Sequence, residues 1–285
     1  MTVLNAIIEL TKASWHVLRR HPRLIWFPIL SVLAATAAVA FLAPILLPLE
    51  DDVPWLAVLI FLIALHAVHI FFTVALTNEA LRALRGESPI SINGGLNAAC
   101  THVPSIATFA AVTGSIGFVL ELMGRSGHPA LRFARAVFGT GWSLVTYLAI
   151  PVMVQERRGG IPSLRRSGDL FRRTWGETTL SEVGLRVFTQ YLMVLLVIVA
   201  ILLIHVLGDE SLFALLLILA MVGAAIGVIG SLEAIYRAAL YVFAVEGVVP
   251  EPFAGAELDA VWRVKPGDPS SPTTPPSSDK PIIDV

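Results

Sequence analysis

"VPWLAVLIFLIALHAVHIFFTVALTN" runs from Val53 to Asn78 without one Asp, Glu, Lys or Arg. At about 1.5 Å rise per residue, a helix of this length crosses the ~30 Å hydrocarbon core of a bilayer. It is apolar all round, so it has no face to offer water, and lipid or a protein interior must surround it. The rest of the chain settles the choice. It is 56% hydrophobic and 14% charged, with a mean hydropathy of +0.78, whereas an average soluble protein is about 25% charged. A net charge of −1 provides no global field for nucleic acid. The single cysteine, Cys100, excludes an intramolecular disulfide and a cysteine-based metal cage. The first long apolar run begins only after Arg23 and more follow, so no cleavable signal peptide is expected.

Working outward from that stretch, six segments lack an ionisable Asp, Glu, Lys or Arg: Leu24–Leu49, Val53–Asn78, Val103–Leu120, Ala136–Gln155, Val187–Gly208 and Ser211–Leu232. The third is the shortest. "EDD" (Glu50–Asp52) and "GDE" (Gly208–Glu210) join neighbours so closely that tight antiparallel hairpins are required. With the N-terminus in the cytoplasm, 17 of the 20 Lys and Arg fall inside, and only Arg125, Arg132 and Arg135 lie outside. The positive-inside rule therefore gives N-in, C-in. The expected fold is an all-α, polytopic membrane helical bundle of six transmembrane helices in the inner cell membrane. It is divided into an interfacial helix (1–23), a membrane domain (24–249) and a disordered cytoplasmic tail (250–285) rich in Pro, Ser and Asp.

Two amphipathic segments border the cytoplasmic face. At 100° per residue, residues 3–20 place Ile8, Leu10, Trp15, Val17 and Leu18 on one half-cylinder, and Lys12, Arg19 and Arg20 on the other. Such a helix lies among headgroups or packs on the end of the bundle. "IPSLRRSGDLFRRTWGE" (Ile161–Glu177) has Ile161, Leu164, Gly168, Phe171 and Trp175 spaced 3, 4, 3, 4, which is one helix face. Arg165, Arg166, Arg172 and Arg173 stand around it, and Asp169 is within one turn of all four. Gly168 on that face suggests close approach by another helix. These arginines hold topology first and are candidates for lipid phosphates.

Ionisable groups inside the membrane are functional candidates. In the second span His66, His69, Thr73 and Thr77 form one stripe at spacings 3, 4, 4. Two histidines one turn apart can share a metal or pass a proton, but Glu121 and His205 sit at the outer ends of their spans, roughly 20 Å away in depth. Interhelical hydrogen bonds are the expected role, with hydroxyls of Thr146 and Tyr147 at His66's depth. Glu233 and Arg237 are an i,i+4 pair in the favoured order and read as a structural ion pair. "GAAIG" (Gly223–Gly227) offers a surface for close helix packing. No cofactor is expected, and no catalytic grouping matches in depth, so no enzyme is expected either.

Certain motifs carry a resemblance. "KASWHVLRRHPRLIWFPILS" (Lys12–Ser31), "FFTVAL" (Phe71–Leu76), "TYLAIPVMVQE" (Thr146–Glu156) and "RRTWGE" (Arg172–Glu177) resemble a prokaryotic family of integral membrane proteins of unknown function, over roughly residues 10–246. Thr73 stands where that pattern has Asn. The resemblance implies six helices and brings no catalytic residue. More distantly, the layout is similar to membrane domains attached to some glycerophosphodiester phosphodiesterases, without their catalytic domain. The functional expectation is a non-enzymatic protein that organises the membrane or serves as an accessory subunit, touching lipid headgroups, a protein partner or another copy of itself. The alternative is a small transporter of a lipid or solute using the His66/His69 stripe. Continuous spans weigh against it, and a polar-lined cavity would weigh for it.

Overall fold

The computed structural model describes residues 3–46, 55–174 and 212–254. The fifth expected span (Val187–Gly208), His205, Trp175, both hairpin turns and the chain after Ala254 lie outside the described residues. Within them, regular structure is entirely helical. Helix α1 (Val3–Arg20) leads through a 3-10 turn (Pro22–Ile25) into α2 (Trp26–Leu46), and α3 is Trp55–Leu84. Short α4 (Ile92–Thr101) precedes α5 (Val103–Arg125); α6 (Pro129–Tyr147) and α7 (Ala149–Gln155) follow. Helix α8 (Gly160–Thr174), α9 (Leu212–Glu246) and a 3-10 turn at Glu251–Phe253 complete it. Among the described residues, five helical stretches are long and apolar enough to cross a membrane. The third expected span gains length, because its helix runs on to Arg125.

The ends of α3, α7 and α9 meet at one charged end, where Arg85 reaches Gln155 and Glu246, and α1, α4 and α8 pack at the same end. Burial follows the same division. Near the charged end Leu81, Leu148, Met153 and Ile235 are fully buried. Toward the other end Phe41 and Phe138 are 74% and 68% exposed, as side chains facing hydrocarbon would be. The α2–α9 contact depends on small residues. A Cβ on Gly227 would lie 2.9 Å from Ile25, and one on Gly230 3.2 Å from Pro28. The Ser231 hydroxyl, which donates to the Gly227 carbonyl at 2.7 Å, also lies 3.2 Å from the Leu24 carbonyl. Of the "GAAIG" pair only Gly227 makes this approach, since Gly223 has open space.

Four expectations are corrected. The fourth span is not one helix: it breaks at Leu148 (φ −96°, ψ 3°), between α6 and α7. Pro151 lacks the N–H that would bond the Tyr147 carbonyl, and the Leu148 N–H goes instead to the Ser167 hydroxyl at 3.0 Å. The buried face of α8 is rotated toward its serines. Ser163 and Ser167 are fully buried beside Leu164 and Phe171, while Ile161 is exposed. The close approach is at Gly160, not Gly168, whose Cβ would meet only Val145 at 3.5 Å. Finally, residues 250–254 belong to the fold rather than to a tail, because Phe253 is completely buried and its turn packs on α1.

Helix α1 docks on the bundle through Leu10, Ala13, Ser14, Val17 and Leu18, all buried. Its contacts are with α9 and the final 3-10 turn. Ile8 and Trp15, on the same apolar half-cylinder, remain exposed. His21, at the end of α1, has its pKa lowered, first by burial and then by the charge of Arg20.

Candidate functional site

The stripe on α3 is divided by its neighbours. His66 turns toward α5, where its Nε2 lies 2.9 Å from the Thr113 hydroxyl. That hydroxyl donates its one proton to the Phe109 carbonyl at 2.8 Å, so His66 must be the donor in their contact, with Nε2 protonated. Thr146 bonds within its own helix, to the Trp142 carbonyl at 3.1 Å, and is not the partner expected for His66. His69 turns toward α2, with Nδ1 3.3 Å from the Ser31 hydroxyl. Each interhelical bond of this kind is worth about 0.6–2 kcal/mol. Replacing both histidines by glutamine should leave a folded protein with a slightly lower melting temperature in detergent; an unfolded double variant would contradict these roles.

Below His69 the helices part around a cavity of about 190 Å³. Helix α2 contributes Ser31, α3 contributes His69, Thr73 and Thr77, and α9 contributes Glu233 and Arg237. Its walls are completed by apolar groups, among them Phe72, Leu76 and Ile226. Ile150 and Pro151 of α7 also line it, so the helix break is part of its architecture. Arg237 donates to the Glu233 carboxylate and lies over the Tyr147 ring, 4.8 Å from its centre. Tyr147 is the last residue of α6, immediately before the break. The Glu233 and Arg237 side chains are 42% and 28% exposed, so the pair borders open space rather than packed core. Thr73 donates to its own helix at the His69 carbonyl, 2.9 Å away, and lines the cavity.

The stripe and the ion pair were separate readings in the sequence; the fold makes them one site. His66 is the member left out. No three metal-binding side chains come together among the described residues. Glu121 instead accepts from Arg125 and Arg135, each at 3.1 Å, at the end far from the cleft.

The basic residues have diverse partners. Arg166 reaches Glu156 at 3.1 Å and is drawn into the bundle. Arg165 is exposed, and Arg172 is exposed beside Asp169 at 3.4 Å. The Arg173 side chain lies outside the described residues. Lys12 pairs with Glu9 at 2.7 Å, whereas Arg19 and Arg20 are exposed on α1.

Two polar clusters were missed by the sequence reading. Glu79 is completely buried. It accepts from Arg82 at 3.2 Å, from the Asn78 amide at 3.0 Å and from the Ser91 N–H at 2.9 Å. The second cluster joins the ends of α3, α7, α8 and α9: Arg85 meets Glu246 at 3.0 Å and Gln155 at 2.8 Å, while Glu156 holds Arg158 and Arg166. Polar residues one turn apart at the end of an apolar helix were the only available signal for Glu79 and Arg82.

A model of a family of unknown function, DUF6159, matches residues 53–250, and the chain belongs to that family. No curated protein and no solved structure matches, so the distant likeness to phosphodiesterase membrane domains stays an expectation.

Proposed function

We propose that this member of the family is a non-enzymatic, six-span protein of the inner membrane, N-in and C-in. Its function is to bind a small polar or amphipathic molecule in the cleft and pass it through the bundle. The observation that carries this reading is the cavity itself, which brings two threonines, a histidine and an ion pair to one volume beside a broken helix. Broken helices and polar groups in the membrane recur where transporters hold their cargo. The cleft lies in the half of the bundle toward the charged end, so entry from the inside face follows.

Thiol labelling tests both position and access, in a Cys100→Ser background. A cysteine at Thr73 should react with a small water-soluble reagent applied to the inside face. One at Ser126, in the turn between α5 and α6, should react only from outside. A cysteine at Thr73 unreactive from both faces would remove the cleft reading, and one at Ser126 labelled from inside would reverse the topology.

A second reading, a membrane-organising or accessory role, rests on α1. Exposed Ile8 and Trp15 adjoin exposed Lys12 and Arg19, an apolar strip edged by cations, as at a lipid surface. If that strip holds lipid, Trp15 fluorescence should shift to the blue on anionic vesicles and return as salt rises. An unchanged spectrum would dismiss it.

A further inference from the structure

The charges in the cleft are balanced and close together. Glu233 and Arg237 are four residues apart on α9, so their attachment points are about 6 Å apart along the axis. Arg237 donates to Glu233, and both remain on the cavity wall. Among the described residues, the polar groups beside them are neutral: the Ser31, Thr73 and Thr77 hydroxyls and the His69 imidazole, whose Nδ1 faces Ser31. Burying an ion that carries net charge among these walls would leave it without a full counter-charge, which is expensive in a low-dielectric site. A molecule carrying both signs avoids that penalty. Its cation takes over the Glu233 carboxylate, its anion takes over the Arg237 guanidinium, and the total charge of the site is unchanged.

Resting on the cleft reading above, we propose that the site takes a zwitterion: a primary ammonium and an anionic phosphate or carboxylate on a short linker. The two protein charges hold each other when the cleft is empty and exchange partners when the ligand enters. A carboxylate accepts hydrogen bonds, so a primary ammonium suits Glu233 better than a quaternary nitrogen, which has no N–H to donate. A guanidinium forms paired bonds with phosphate or carboxylate oxygens. The hydroxyls of Thr73 and Thr77 remain for the linker or the remaining oxygens. Apolar Leu76 and Ile226 on the same wall allow the ligand a hydrophobic part. The same chemistry occurs in an ethanolamine-phosphate lipid headgroup and in a free amino acid or phosphoethanolamine.

The test is native mass spectrometry of the full-length protein released from detergent with each probe in turn. The probes are phosphatidylethanolamine, phosphatidylcholine, phosphatidylglycerol, free phosphoethanolamine and glycine. Phosphatidylethanolamine or a free primary-amine zwitterion should be retained roughly tenfold more than phosphatidylcholine or phosphatidylglycerol, as expected for one lost charged hydrogen bond. Glu233→Gln should erase the preference for primary over quaternary nitrogen, with Gly139→Ala, away from the cleft and with open space around it, as a folded control that keeps both charges. Retention of the lipid alone assigns a headgroup ligand, and of the free solutes as well, a soluble one; either supports the inference. Preference for phosphatidylglycerol, or equal retention of all lipids, overturns the zwitterion and leaves the cleft reading standing. Absence of retention in every arm overturns both.

Discussion

Glu79→Ala should lower the stability of the detergent-solubilised protein by about 3 kcal/mol, the low end of the cost of removing one partner from a buried ion pair. The carboxylate is sealed from solvent, and three donors from three residues converge on it. Its loss strands the Ser91 N–H and the Asn78 amide and opens a cavity. Arg82 suffers less, because it is 31% exposed and keeps Glu87 at 3.0 Å, which is why the upper end of the range is not expected. Glu79→Gln retains an acceptor for Ser91 but loses the charge, and should cost about 1–2 kcal/mol. The consequence reaches the cleft. Ser91 caps α4 by accepting from the Gly94 N–H at 2.9 Å, and α4 then presses Gly95 against Phe27. Phe27 directly precedes Pro28 on the cleft wall. Thermal melts of the two variants check this; equal losses would contradict it, because the charge alone would then account for the whole cost and the retained acceptor for none of it.

Gly160→Ala should be nearly as damaging, for a steric reason. A methyl group there would lie 2.5 Å from the Phe109 nitrogen and 2.6 Å from the Ser105 oxygen. Both are backbone atoms of α5 and cannot rotate away, so α8 would have to move. Overpacking of this kind costs typically 1–3 kcal/mol. Movement of α8 would also pull Ser167 from the Leu148 N–H and so loosen the α6–α7 break. Gly139→Ala is the contrasting case. It lies inside α6 with nothing described within 4 Å, and alanine should gain up to about 1 kcal/mol of helix propensity. Melting temperatures moving in opposite directions support the packing; a neutral Gly160→Ala would contradict it.

These residues mark what the sequence could and could not reveal. The long apolar runs were plain, because lipid imposes length and composition on a helix one segment at a time. The break at Leu148 was signalled by Pro151, yet an uncharged run reads as continuous when only hydropathy is followed. The face of α8 was turned the wrong way for a related reason. Ser163 and Ser167 score as polar, but serine is small enough to sit at a helix contact. The hydroxyls of Ser163 and Ser167 bond to backbone at 2.9–3.0 Å. His69, Thr73 and Thr77 were visible as a stripe and Glu233 with Arg237 as a pair. That they share one cavity depends on α3 and α9 meeting, information held in the tertiary contact of Gly227 and Gly230 with α2 rather than in either segment. Glu79 was hidden by its position just past the apolar run, where a carboxylate is usually solvated.

The most direct test of the cleft as the working part of this protein is an experimental density map of the full chain in a lipid nanodisc. The expected map shows an open volume bounded by His69, Thr73, Glu233 and Arg237, holding ordered water or a bound molecule, with α6 and α7 distinct at Leu148. A continuous helix through Leu148, with side chains of α2 and α9 filling the volume between them, would contradict it.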